Sequence, residues 1–164
     1  MSGKLEVSFN SPQCGWMSIG FKDAHSEFNT TTAHAPHGDA LSGLLRILTL
    51  LLDDRYGQNE FVLHWNRDPE EFDLRFLRGD GGSLLFEVYQ YPSDERELAE
   101  RELVFAHLGT VGDVCGAFAE TFEQLYVDRE TDEFEFNWRQ PFPNAEFARF
   151  RGALEQKAGQ APPI

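Results

Sequence analysis

Residues 41–52 constrain the fold more than any other part of the chain. Leu41, Leu44, Leu45, Leu48, Leu51 and Leu52 recur at helical spacing, with Ile47 and Leu50 beside them. A helix this apolar must be covered on more than one side. Asp39, just after the breaker Pro36-His37-Gly38, is placed to accept hydrogen bonds from the first turn. The stretch is broken by Ser42, Gly43, Arg46 and Thr49, and a membrane span needs roughly 20 apolar residues, so a buried core helix is expected. Asp53 and Asp54 near its end oppose the helix dipole, a local misfit. Gly57 is placed to stop the helix in a left-handed conformation.

On both sides of this helix the apolar period changes to two. Leu5, Val7 and Phe9 alternate with Lys4, Glu6 and Ser8. Met17, Ile19 and Phe21 line one face of a second strand, and Phe28, Thr30 and Thr32 mark a third. Downstream, Phe61, Leu63 and Trp65, then Phe72, Leu74 and Phe76, then Leu84, Phe86 and Val88 repeat the alternation. A last strand is expected near residues 102–107. Gly79-Asp80-Gly81-Gly82 is a hairpin signal. Thr110 with Asp113 fits a capping box that opens a helix carrying Val114, Cys115, Phe118, Phe122, Leu125 and Tyr126. Phe134, Phe136 and Trp138 read as a loop with a short strand, and Asn144 opens a last helix with Phe147, Phe150 and Leu154. The expected fold is α+β, a single domain over residues 1–157 followed by a flexible C-terminal tail at 158–164. Its mainly antiparallel sheet has six to seven strands, in the order β-β-β-α-β-β-β-β-α-α, with the first helix packed on one face.

Charge narrows the classes of partner. The chain has 164 residues, with 28 acids against 14 bases, a net charge of −14. Such a surface is unsuited to phosphate backbones and to anionic membranes. No secretory leader is visible at the start, so a cytoplasmic location is expected. Cys14 and Cys115 are then expected as reduced thiols.

Few residues cluster in a way that suits chemistry. His34, His37 and Asp39 place two imidazoles and a carboxylate within six residues, donors that suit Zn²⁺, Fe²⁺ or Ni²⁺. Asp53 and Asp54 are possible extra acids, and His25 and His107 could join them in space. A polar loop ahead of a helix accounts for the same residues. Cys115 falls on a buried helical stripe, and Cys14 has no base beside it in sequence. Trp16, Trp65, Trp138, Tyr89 and Tyr91 could line a groove, but each also fits a strand pattern. No nucleophile elbow, P-loop or dinucleotide fingerprint is present. No catalytic residue, metal or cofactor is therefore assigned.

The most unusual feature is local charge. Residues 113–135 hold eight acids and one base, Arg129, a net of −7. A solvated face that keeps the protein soluble is one reading. The other is a docking surface for a basic protein, built from Glu120, Glu123, Asp128, Glu130, Asp132, Glu133 and Glu135, in which carboxylates steer association. A non-enzymatic acidic binding module is the first expectation. A small-ligand or metal-dependent enzyme using His34, His37 and Asp39 is the second, and a homodimeric structural protein the third.

Two stretches, LSGLLRILTLL at 41–51 and FVLHWNRDPE at 61–70 leading into Phe72-Asp73-Leu74, resemble small uncharacterised bacterial proteins. Some of these are similar to immunity proteins of polymorphic toxin systems. The likeness spans residues 38–90, is a hydrophobic pattern, and carries no functional residue across. It implies a bacterial cytoplasmic protein and adds weight to an inhibitor-like role.

Overall fold

The computed structural model of the chain describes residues 3–34 and 39–159. The alternating segments form strands β1 (Glu6–Phe9), β2 (Trp16–Lys22) and β3 (Glu27–Ala33), then β4 (Glu60–Asn66), β5 (Glu71–Arg78), β6 (Ser83–Tyr91) and β7 (Glu102–Thr110). Helix α1 (Ala40–Leu51) separates the two groups, and α2 (Val111–Asp128), α3 (Phe134–Trp138) and α4 (Asn144–Gly159) follow. Every strand pair is antiparallel.

The strands do not make the expected single sheet of six to seven. They divide into a three-stranded sheet, β1-β2-β3, and a four-stranded sheet, β4-β5-β6-β7. The reason lies in the side chains where the sheets meet. Phe21 of β2 packs on Phe86 and Phe105 with ring centroids 5.1 and 5.8 Å away, and Phe28 of β3 lies 5.9 Å from Phe72. Rings between two faces hold backbones about 10 Å apart, twice the roughly 4.8 Å of a hydrogen-bonded ladder. The sheets are joined by packing, and no ladder runs between them.

Helix α1 begins as its sequence dictates. Asp39 Oδ1 accepts from the backbone N–H of Leu41 (3.1 Å) and Ser42 (3.5 Å), and Oδ2 accepts from the Ser42 hydroxyl (2.8 Å). Leu41, Leu44, Leu45, Leu48 and Leu51 are all fully buried. Its end differs from expectation. The helix stops at Leu51, six residues before Gly57, and Arg78 closes it. That guanidinium donates to the carbonyls of Leu51 (3.2 Å) and Asp53 (3.1 Å), and to those of Tyr56 and Gln58. A cation at a helix C-terminus also complements the dipole. The acids at this end have partners too: Asp54 accepts from Lys157 of α4 (2.6 Å), and Asp53 from Arg55 (3.2 Å).

Residues 134–138 are helical rather than extended. Phe134 and Trp138 are four apart, so they share a helical face as well as a strand face, and both are buried there. A strand would also bury Phe136, which stays exposed. Helix α4 runs to Gly159, two residues into the stretch read as tail, and the remaining tail residues lie outside those described. Among the described residues, no helix is long and apolar enough to cross a membrane.

Helix α2 closes the core. Thr110 caps it by accepting from the N–H of Asp113 at 3.1 Å. Phe118, one turn further, meets Phe9 of β1, Phe21 of β2, Phe76 of β5 and Phe86 of β6, with centroids 5.6–6.2 Å away. Phe118→Ala is expected to destabilise by about 3–5 kcal/mol and Leu48→Ala by about 2–5 kcal/mol in urea unfolding. Exposed Val127→Ala should change stability by less than about 0.5 kcal/mol. Equal effects at all three positions would show that the core is misplaced.

Candidate functional site

The seven acids expected to form a docking surface lie along the second half of α2, the turn after it, and α3. They are not equivalent. Glu120 pairs with Lys4 at 3.7 Å across open solvent, and Glu123 with Arg151 of α4 at 3.3 Å. Asp128 accepts from the Gln124 amide at 2.6 Å, and Asp132 from the Ser11 hydroxyl. Among the described residues, Glu130, Glu133 and Glu135 are in no ion pair, and all three are exposed. The base among them is withdrawn: the Arg129 guanidinium lies 3.9 Å over the Tyr126 ring and donates to the Tyr126 carbonyl at 2.6 Å.

The backbone holds this acidic segment in a fixed shape. The Phe134 N–H donates to the Arg129 carbonyl at 2.8 Å, and the Asn137 amide to the carbonyls of Asp132 (2.9 Å) and Glu133 (3.2 Å). Glu133 (φ 50°) and Arg139 (φ 71°) take left-handed conformations at the two ends of α3. The Gly15 N–H donates to the Asn137 carbonyl at 2.7 Å, which ties α3 to the β1–β2 turn. Inward, Phe134 packs edge-on against Phe142 at 5.3 Å. Outward, Phe136 is 79 % exposed, and Val127 at the end of α2 is exposed too. Sequence reasoning found the acids and missed Phe136, because its alternation with Phe134 and Trp138 reads as core.

Of the alternative site, the described residues place His34 and Asp39, and each has a partner within the fold. Asp39 is occupied in capping α1. His34 Nδ1 lies 3.2 Å from the Gly15 carbonyl, to which it donates. His37 lies outside the described residues. Among the described residues, no group of three or more His, Cys, Asp or Glu side chains could hold a metal ion. Cys115 is buried in the core, where desolvation pushes its thiol up to about 12, a range in which it is no nucleophile. Cys14 is exposed, and neither cysteine is in a disulfide. Trp65 and Trp138 are core side chains, while Trp16 is partly exposed.

Two polar constellations escaped the sequence. His107 of β7 donates from Nδ1 to Asp23 Oδ2 at 2.8 Å, and Asp23 Oδ1 also accepts from the N–H of His25 (2.8 Å) and Ser26 (3.0 Å). That buried pair links the β2–β3 turn to the other sheet. The second lies on the outer face of the four-stranded sheet. Arg96 donates to both Glu71 (2.8 Å) and Asp73, His64 Nδ1 donates to Asp73 Oδ1 (2.6 Å), and the Tyr91 hydroxyl donates to Asp73 Oδ2 (2.8 Å). Burial raises the Asp73 pKa, but hydrogen bonds from Tyr91, His64 and Arg96 outweigh it and hold the carboxyl below its ordinary value. An ionised carboxylate at Asp73 fixes Nδ1 of His64 as the donor.

Comparison with family models, curated proteins and solved structures finds no match to this chain. The functional reading therefore rests on the chain's own geometry.

The depressed Asp73 value makes a stability statement. Its contribution is present above the unfolded carboxyl value of about 3.9 and is lost as pH falls through the lower folded value. Asp73→Asn should destabilise by about 1–3 kcal/mol at pH 7, the scale of hydrogen bonds to a charged group. In urea unfolding, the gap between variant and wild type should be constant from pH 7 to about pH 5 and narrow below about pH 4. A gap that persists undiminished at pH 2 would contradict an ionised, bonded Asp73.

Proposed function

We propose that this chain is a non-enzymatic protein-binding module whose residues 128–136 dock a basic protein, in the manner of an immunity protein or inhibitor. The observation that carries this reading is one arrangement: among the described residues, Glu130, Glu133 and Glu135 are in no ion pair, and they flank Phe136, which stands 79 % exposed on a segment braced by buried Phe134 and Trp138. An unpaired acid on the surface steers a basic partner from a distance. An exposed aromatic side chain on a rigid support supplies the kind of anchor that dominates binding energy once contact is made. Both are supplied by nine residues.

The division within the acidic stretch supports a specific interface over bulk solubility. Glu120 and Glu123 already face Lys4 and Arg151, which lowers their field outside the protein. The steering charge is therefore concentrated in the turn and α3. The bacterial, cytoplasmic setting belongs to the same proposal.

The test is kinetic, with a basic partner recovered on the immobilised chain. Reversing Glu130, Glu133 and Glu135 to Lys should slow association about tenfold or more at 0.05 M salt and leave the unfolding midpoint nearly unchanged. The Glu120→Lys/Glu123→Lys pair should slow it less. Raising salt to 0.5 M should abolish the difference, because the Debye length falls from roughly 14 Å to about 4 Å. An association rate indifferent to salt and to the triple reversal would reduce the acids to a solubility device.

A further inference from the structure

The three-stranded sheet buries Met17, Ile19 and Phe21 on one face and turns the other to solvent. Its register sorts the outward side chains into rows. Trp16, 36 % exposed, stands at the start of β2. Ser18 lies opposite Thr31, and Asn10 joins that row because its N–H donates to the Ser18 carbonyl at 3.0 Å. Ser8, Gly20 and Asn29 make the next row, and Glu6, Lys22 and Glu27 the last. A Cβ on Gly20 would lie 2.5 Å from Asn29 Oδ1, so the Asn29 amide reaches across the strand and keeps the face flat. Asn10, Ser11, Gln13, Trp16, Ser18 and Thr31 line an open cleft of about 340 Å³, at the low end of the roughly 300–1,000 Å³ of small-ligand sites.

The chemistry of this cleft differs from that of the chain around it. Charged residues make up 26 % of the sequence, yet none of the six lining residues is charged. Charge returns at Lys22, about 20 Å from Trp16 along the strand. At the rim, Asp132 accepts from the Ser11 hydroxyl. Among the described residues, the side chains of Asn10, Gln13, Ser18 and Thr31 are in no hydrogen bond. Two amides and two hydroxyls therefore offer both donors and acceptors beside an exposed indole. The turn that presents the indole is braced. Gln13 and Trp16 exchange backbone hydrogen bonds of 2.8 and 2.9 Å, the Gly15 N–H donates to the Asn137 carbonyl at 2.7 Å, and the His34 N–H to the Gly15 carbonyl at 3.0 Å. A ring on such a support loses little freedom when a ligand covers it.

We infer that this cleft binds a neutral oligosaccharide, with the Trp16 ring stacked on the C–H face of one pyranose and Asn10, Gln13, Ser18 and Thr31 hydrogen-bonded to hydroxyls of that sugar and its neighbour. A sugar ring is divided as the cleft is. Its C–H bonds are slightly positive and suit the negative face of an indole. Its hydroxyls both donate and accept, as the facing amides and hydroxyls do. Ser18 lies about 6.8 Å beyond Trp16 on the same strand face, so a ligand longer than one ring reaches both. Other classes of ligand fit less well. Nucleic acid and anionic lipid need cations, and a basic protein needs carboxylates, none of which line the cleft. A protein interface needs an apolar centre, and of the lining residues Trp16 alone is apolar. A net charge of −14 disfavours anionic saccharides and leaves uncharged ones. Glu130, Glu133, Glu135 and Phe136 are not among the lining residues, so the site is separate from the docking segment.

Isothermal titration calorimetry of the full chain tests the inference. The probes are hexasaccharides of β-linked glucose, α-linked glucose, mannose, xylose, galactose and N-acetylglucosamine, each up to about 5 mM, with hexagalacturonate as the anionic control. At least one neutral probe should bind with a dissociation constant below about 1 mM, and hexagalacturonate at least tenfold more weakly. The bound probe should shield wild type from acrylamide quenching, because Trp65 and Trp138 are buried and Trp16 is the exposed indole. Trp16→Ala should weaken binding at least tenfold. Ser18→Ala with Thr31→Val, both tolerated on an outward strand face, should weaken it about fivefold with the unfolding midpoint nearly unchanged. Phe136→Glu, and a change from 0.05 to 0.5 M salt, should leave the affinity within about twofold, unlike capture of a basic protein. Failure of every neutral probe to bind overturns the inference. So does binding that is unaffected by Trp16→Ala or by the Ser18/Thr31 pair, or tighter binding of hexagalacturonate.

Discussion

Phe118 is the contact on which the other arrangements depend. It comes from a helix, and its neighbours come from both sheets: Phe9 and Phe21 from one, Phe76 and Phe86 from the other. No backbone ladder joins the two sheets, so their mutual position is set by rings and by the Asp23–His107 pair. Aromatic pairs at these separations contribute about 0.5–1.5 kcal/mol each beyond area burial, and geometry matters as much as energy. Edge-on and tilted rings fix angles that aliphatic side chains leave loose. The position of α2 fixes the end from which the acidic turn and α3 emerge, and the same packing leaves the other face of the larger sheet outward.

Charge follows a similar division of labour. The chain has few bases, and most of those seen in contacts are tied to the fold. Arg78 gathers four carbonyls after α1, Arg75 and Arg96 brace the outer sheet face, Arg129 lies on Tyr126, and Lys157 ties α4 to Asp54. Guanidinium groups suit such posts because their fork of donors reaches several acceptors at once. The acidic surplus is left to solvent.

The parts of the fold legible in the sequence are those in which two local signals agree. Asp39 as cap and the leucine stripe after it point to the same helix, and that helix runs from Ala40 to Leu51. Where two periods fit the same residues, the reading failed: Phe134 and Trp138 satisfy both strand and helix spacing, and burial of two rings out of three decided for the helix. The division into two sheets was not legible, because pairing across α1 is a long-range matter that alternation does not address. Arg78 was equally hidden, with acceptors 20 or more residues away along the chain. The His64–Asp73 contact was closer to reach. Once the 67–70 turn sets the register, residue 64 lies opposite residue 73, and polar residues facing each other on an outward face are a readable sign.

A solubility device requires only that charge be numerous and exposed, and position is then free. Here position is constrained at some expense. Glu133 takes φ 50°, a conformation that disfavours side chains other than Gly, Asn and Asp, and the adjoining α3 is too short to be stable without Phe134 and Trp138 buried beneath it. Phe136, left outward at 79 % exposure, gains nothing from burial in this chain, whereas a polar residue there would serve folding and solubility equally well. A braced turn, unpaired acids and an uncovered aromatic ring are difficult to explain by stability alone. Each has a direct use in recognising a second protein, and the proposed docking role rests on that combination.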